Sequence, residues 1–294
     1  MQSKKQASFM EATGMIAYNM TNNYMFRFIL QKNKKVLKGL ICALLHLKPE
    51  QIKSIEITNP INLSGDVSGK EFILDINILL NDDTQINLEM QNVNEHNWTD
   101  RSLIYLCRSF DQLYHGQKYD EALPVIHIGF LDFTLFPDCP EFYATYKMMN
   151  IENYHLYSDK FTLSVLNLSK IDLATEEDKR YEIDYWARLF KAKTWEELKE
   201  LVKDKEYLQE AADSIYKANA DEIVRQQCRA REEAERRERT LERDIKKLQE
   251  YSTELEGDIV NLKENVSDLE EKNLQQELLI KELKAKIARL ESVE

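Results

Sequence analysis

The chain has 294 residues, a formal net charge of −12, and only 7 glycines and 5 prolines, which excludes collagen-like and linker-rich architectures. Its cysteines, Cys42, Cys107, Cys139 and Cys228, form no CxxC pair, no two histidines stand at ligand spacing, and neither GxxxxGK(S/T) nor GxGxxG occurs. A structural zinc site, a nucleotide cofactor, a secretory signal and a membrane span are therefore not expected, and a reducing, cytoplasmic setting is.

Charge is unevenly spread. Residues 1–47 carry seven Lys and Arg against the single acid Glu11, a local +6, leaving −18 on the remainder. A basic segment on an acidic body is the expected DNA track, because phosphate neutralisation drives such binding. Residues 1–20 are expected to be a flexible N-terminus. The apolar positions Phe26, Ile29, Leu30, Leu37, Leu40, Ile41, Leu44 and Leu45 predict a helix from about Tyr24 to Leu47, bent or broken at QKNKK (31–35). Lys32, Lys34, Lys35 and Lys38 lie near that break, as phosphate contacts or as a solvated helix end.

EQIKSIEIT (50–58) reads as a strand and Pro60–Gly69 as a surface loop. The next stretch, EFILDINILLNDDTQINLEMQ (71–91), alternates apolar and polar residues with period two on either side of Asn81-Asp82-Asp83, the pattern of a half-buried hairpin. A three-residue loop at 81–83 sets Ile78 opposite Ile86, Ile76 opposite Leu88 and Leu74 opposite Met90. A two-residue turn would put apolar against polar throughout. Asn and Asp tolerate the left-handed backbone that such a loop needs. In this register Asp75 faces Glu89, with Cβ atoms roughly 4.5–5.5 Å apart. Two carboxylates so close repel unless a hard cation sits between them; Mg²⁺, Mn²⁺ and Ca²⁺ suit oxygen ligands. Gln91 projects from the same face. The alternative is a solvated hairpin face that carries acids by chance.

Asn97–Gly116 reads as a helix stopped by Gly116, with Arg101, Tyr105 and Arg108 on one face. Pro124–Phe136 reads as a long central strand, in which His127 and Asp132 are core or sheet-end residues. Glu141–Met149 and Phe161–Ser169 read as further strands. From Thr175 the pattern turns helical, with N-caps at Thr175 and Thr194 and a core of Trp186, Leu189, Phe190, Trp195, Leu198 and Leu201.

Arg225–Thr240 is a charged helix. A heptad follows, with Leu241, Leu248, Leu255, Leu262, Leu269, Leu283 and Leu290 at d and Gln276 in the one gap. Ile245, Ser252, Ile259, Val266, Asn273, Ile280 and Ile287 stand at a. β-branched a positions with Leu at d favour a parallel two-stranded coiled coil, about 75 Å long, and Asn273 would fix its register. A homodimer is the expected assembly.

An Asp in one strand followed by Glu-x-Lys in the next is the core of the PD-(D/E)xK nuclease superfamily. Here Asp75 is followed by Glu89-Met90-Gln91, and this E-x-Q variant resembles the PD-(D/E)xK family transposases, also called Rpn family recombination-promoting nucleases. NYMFR at 23–27, GKEFILDI at 69–76, the R-S-x-x-Y-x-x-R run from Arg101 to Arg108, and PVIHIGFLDFTLF at 124–136 fit the same family, so the resemblance covers roughly residues 20–225. It implies an α/β fold with a restriction-endonuclease-like core and mixed sheet at 21–172. A helical segment at 173–224 and a charged helix and coiled coil at 225–294 would follow. It implies divalent-metal-dependent cleavage of DNA, with Asp75 and Glu89 as metal ligands, Mg²⁺ foremost, and Gln91 positioning water or phosphate. Asn23, Arg101 and Arg108 would line the site. Asn22-Asn23 stands where many relatives carry Asn-Asp, and Gln91 stands in place of Lys. Both departures favour an alternative, a catalytically inactive nuclease fold serving as a dimeric interaction or DNA-binding module. Cleavage of RNA is a third reading.

Overall fold

The computed structural model describes residues 8–59, 76–111, 113 and 116–291. Two compact units divide the chain, residues 1–232 and 233–294.

The first unit is built on a mixed sheet of six strands: β1 (Ile55–Ile57), β2 (Ile76–Leu80), β3 (Thr84–Gln91), β4 (Val125–Leu131), β5 (Tyr143–Lys147) and β6 (Phe161–Asn167), in the order β1-β2-β3-β4-β6-β5. β1, β2 and β3 are antiparallel, β3, β4 and β6 run parallel, and β5 closes the far edge antiparallel to β6. The hairpin register is the expected one, with Ile76, Asn77 and Ile78 opposite Leu88, Asn87 and Ile86. Its loop is Asn81-Asp82-Asp83, with Asn81 and Asp82 at φ 52° and 62°, the left-handed backbone that Asn and Asp tolerate. Leu74, Asp75, the loop at 60–69 and most of GKEFILDI lie outside the described residues.

Helices cover both faces of the sheet. On one side α1 (Asn23–Lys32), α2 (Lys34–Leu44), α5 (Ile183–Lys191) and α7 (Glu206–Ala220) share a hydrophobic core with Ile76, Ile78, Leu88, Met90, Ile128 and Phe130. On the other lies α3 (Trp98–Phe110), the crossover between the parallel strands β3 and β4. The break in the first helix falls at Asn33. Its side chain accepts from the N–H groups of Lys35 and Val36 and so caps α2, while its own N–H closes α1 on Ile29. Several elements differ from expectation, and the strand expected over 50–58 is confined to Ile55–Ile57 after a 3-10 turn at Pro49–Gln51. α3 stops at Phe110, whose ring packs edge-on against Phe161 at 4.5 Å, rather than at Gly116. β4 ends not at Phe136 but at Leu131, where β3 also ends: the Asp132 N–H makes the last ladder bond, to the Gln91 carbonyl, and its carboxylate pairs with Lys191 at 2.6 Å. The helix after Thr175 is two, α4 (Glu176–Arg180) and α5, parted by Glu182 at φ 62°. The caps at Thr175 and Thr194, the latter opening α6 (Trp195–Leu201), are both complete capping boxes.

Phe9, Ile16 and Met20, within the segment expected to be flexible, are buried, and the Ile16 N–H bonds the Lys193 carbonyl at 2.8 Å. α8 (Glu222–Glu291) is a single helix of 70 residues. Within the second unit its apolar stripe, Leu248, Leu255, Leu262, Leu269 and Leu283 with Ile259 and Val266, is exposed. Asn273 is exposed too, and the side chain of Leu290 is not described.

Candidate active site

Side chains alternate along β3, so Asn87, Glu89 and Gln91 share one face. A solvated face was the alternative to a metal site here. Instead all three residues are buried, because the crossover helix α3 lies over them. The parallel pairing puts Asn87 beside His127, Glu89 beside Gly129 and Gln91 beside Leu131. Gly129 lets α3 come this close: a Cβ there would meet Trp98 Cζ2 at 2.0 Å. The buried Trp98 ring thus lies against Gly129, the residue paired with Glu89.

Glu89 is 1% exposed. A buried carboxylate needs a counter-charge, and Arg101, one turn into α3, supplies it with Nη2 2.7 Å from Oε1. Arg101 also reaches Glu95 at 3.7 Å and stacks over the Tyr105 ring at 5.4 Å. Burial works against its charge, but Glu89, Tyr105 and Glu95 outweigh it, so the guanidinium is held more firmly protonated than usual. The other oxygen, Oε2, lies 3.8 Å from His127 Nε2. His127 has no exposed surface. Burial, aided by the Arg101 cation, pushes its pKa down to about 3, so it is neutral at pH 7. The Trp98 and Tyr105 rings flank it at 5.6 and 6.2 Å.

Gln91 donates from Nε2 to the Val93 carbonyl at 3.0 Å, and its Oε1 is buried without a hydrogen-bond partner. Such an acceptor, beside a carboxylate on one strand face, fits a hard cation or a water it carries. Asp75 lies outside the described residues. Among the described residues, no cluster of three or more His, Cys, Asp or Glu could hold a metal ion. Asn23 is buried in the first turn of α1, just after Asn22, whose side chain caps that helix. Asn92, directly after β3, donates to the Thr21 carbonyl and ties the strand end to the approach to α1.

Other expected positions lie elsewhere. Arg108 is exposed, about 10 Å further along α3 than Arg101. Lys35 is engaged by Glu206 at 2.7 Å, Lys38 donates to the Ile52 carbonyl at 3.1 Å, and Lys32 and Lys34 are exposed. His127, Trp98 and Gly129 were not singled out for this face. The signal for them was the parallel pairing itself, which aligns HIG at 127–129 with NLE at 87–89.

No described helix is long and apolar enough to cross a membrane. Searches of curated proteins and of solved structures gave no match to the chain. The family model for the PD-(D/E)XK nuclease family transposases matches residues 20–244, which include the whole sheet, the crossover helix over Glu89 and the first turns of α8. By its sequence over three-quarters of its length, then, and with a mixed sheet consistent with that fold, this chain belongs to the PD-(D/E)XK nuclease family transposases.

Proposed function

We propose that the protein is a divalent-metal-dependent endonuclease that hydrolyses DNA phosphodiesters and works in the cytoplasm as a coiled-coil homodimer. The observation that carries this reading is Glu89, a carboxylate 1% exposed at the carboxyl end of a central strand, with a buried acceptor of Gln91 without a partner two residues on. Asp75 and Glu89 would hold the ion, Mg²⁺ foremost, with Mn²⁺ and Ca²⁺ as substitutes. When bound, the ion supplies Lewis-acid polarisation of the phosphate and a more acidic water. Gln91 Oε1 would accept a hydrogen bond from that water and so orient it. Gln91 carries no charge, so cationic help at the phosphate falls to Arg101, whose planar fork matches phosphate oxygens and stays protonated. Lys32 and Lys34 extend the contact along the DNA backbone.

The exposed Leu and β-branched stripe of α8 supports the dimer, since a helix that leaves a sustained a/d seam in water gains most by pairing with a copy of itself. Two linked nuclease units then engage two strands or two sites with the avidity of linkage. A second reading is favoured by one contact: Arg101 supplies Glu89 with a counter-charge from the protein itself, the arrangement expected of an inactive fold kept as a dimeric interaction or DNA-binding module.

Nicking of supercoiled plasmid by the full chain with Mg²⁺, Mn²⁺ or Ca²⁺, beside Asp75→Ala and Glu89→Ala, separates the two. Metal-dependent cutting lost in both variants is the expected result. A folded dimer that never cuts would establish the inactive reading. Light scattering on the full chain and on Leu255→Asp/Leu262→Asp tests the assembly. A dimeric mass that falls to a monomer is expected, and a monomeric wild type at micromolar concentration refutes the coiled coil.

A further inference from the structure

His127 lies in the middle of the central strand with no exposed surface, and neither ring nitrogen has a hydrogen-bond partner. A buried polar group left unsatisfied costs roughly 1–3 kcal/mol, and an aliphatic residue would fill this place without that cost. Packing therefore does not account for a histidine here. Its surroundings do. Nε2 lies 3.8 Å from Glu89 Oε2, within ion-pair range and just outside hydrogen-bond reach. The opposite oxygen is already held by Arg101 at 2.7 Å.

The proton inventory fixes the tautomer. An ionised carboxylate only accepts, so the nitrogen facing it carries the hydrogen, and Nδ1 is left as the acceptor. The indole of Trp98, with its ring centroid 5.6 Å from the imidazole, can only donate, and its Nε1 likewise lacks a partner. Donor and acceptor are thus complementary between Trp98 and His127 as they are between His127 and Glu89.

We infer that His127 is a positioning residue for Glu89: its Nε2–H takes Oε2, and Arg101 with any bound cation shares Oε1, so the carboxylate keeps one orientation as its other partners change. The inference rests on the reading of Glu89 as a metal ligand and adds to it the group that aims the ligand. Partners of this kind, one bond behind a ligand, govern metal affinity as well as rate.

The test is Mn²⁺ binding to the full chain by titration calorimetry, with thermal melting in parallel, for the wild type, Glu89→Gln, His127→Leu and His127→Gln. The amide nitrogen of Gln reaches the place of Nε2. Expected are loss of binding in Glu89→Gln, a 10–100-fold weaker affinity in His127→Leu, and His127→Gln within about threefold of the wild type. A His127→Leu protein that binds Mn²⁺ as the wild type does, and differs only in melting, overturns the inference while leaving the metal reading intact. Wild-type binding that Glu89→Gln does not change overturns both. Should His127→Leu not fold, the imidazole ¹⁵N shifts of the wild type decide: an Nε2–H tautomer supports the positioning role, and an Nδ1–H tautomer refutes it.

Discussion

Replacing Arg101 with Ala leaves a carboxylate at 1% exposure with its principal counter-ion gone. With Nη2 2.7 Å from Oε1 the charge centres lie about 4 Å apart, and their attraction at an effective dielectric near 20 is about 4 kcal/mol. The Arg101 side chain is 31% exposed, so screening and the entropy of holding a long side chain reduce the net coupling to about 2–3 kcal/mol. In a unit of this size that lowers the melting temperature by roughly 4–12 °C. The assay is a double-mutant cycle in chelator, with Arg101→Ala made in the wild type and in Glu89→Gln, followed by urea and thermal unfolding. In the Glu89→Gln background there is no buried charge to strand, so the same substitution should cost under about 1 kcal/mol. Equal losses in the two backgrounds, to within about 0.5 kcal/mol, would refute the ion pair as the reason Glu89 tolerates burial.

Further outcomes follow from the same geometry. Gly129→Ala forces a Cβ to within 2.0 Å of the Trp98 ring and should destabilise by about 1–3 kcal/mol in chemical denaturation, with a red shift of tryptophan emission as Trp98 loses its seat; unchanged stability would mean that α3 is free to shift outward. A thiol reagent at pH 8 should modify the exposed Cys107 and Cys139 in the native protein, and Cys42 and Cys228 only in denaturant. Burial pushes Cys228 up to about 12, so early labelling there would show that the start of α8 is not packed. Finally, His127 carries a depressed folded-state pKa, about 3 against 6.5 unfolded, so the unfolded chain binds the extra proton between those values. The stability it contributes is whole above pH 6.5 and is lost as pH falls toward 3, about 2 kcal/mol by pH 5. His127→Leu should lack that slope in metal-free buffer, and identical slopes would place the titration elsewhere.

What the sequence made legible was whatever repeats locally. The hairpin register, the break at Asn33 and the caps at Thr175 and Thr194 each follow from residues a few positions apart. Arg101, expected to line the site, lies one turn into the helix that follows β3 and pairs with Glu89. The ends of α3 and β4 were not. There Phe110 meets Phe161 and Asp132 meets Lys191, residues about 50 and 60 positions away, which no local pattern announces. Nor was the burial of the polar face. Alternation marks Asn87, Glu89 and Gln91 as the polar face but does not say that the next helix returns over the same strand, and a glycine forty residues on is what lets it settle there. The same distance hid His127, whose neighbours are set by parallel pairing and not by sequence spacing.

The first turns of α8 look like the beginning of a polar rod, yet Val224 and Cys228 are buried in the main core. Asn22, which caps α1, donates to the Cys228 carbonyl at 3.3 Å and to Glu232 at 3.5 Å. A protease that clips ahead of Val224 would uncover the wall behind Met25 and remove two partners of the residue that opens α1, so digestion should run on into the body and not stop there. The smallest fragment to survive limited proteolysis should therefore carry the helix through Glu232, well past the point where composition turns from apolar to charged.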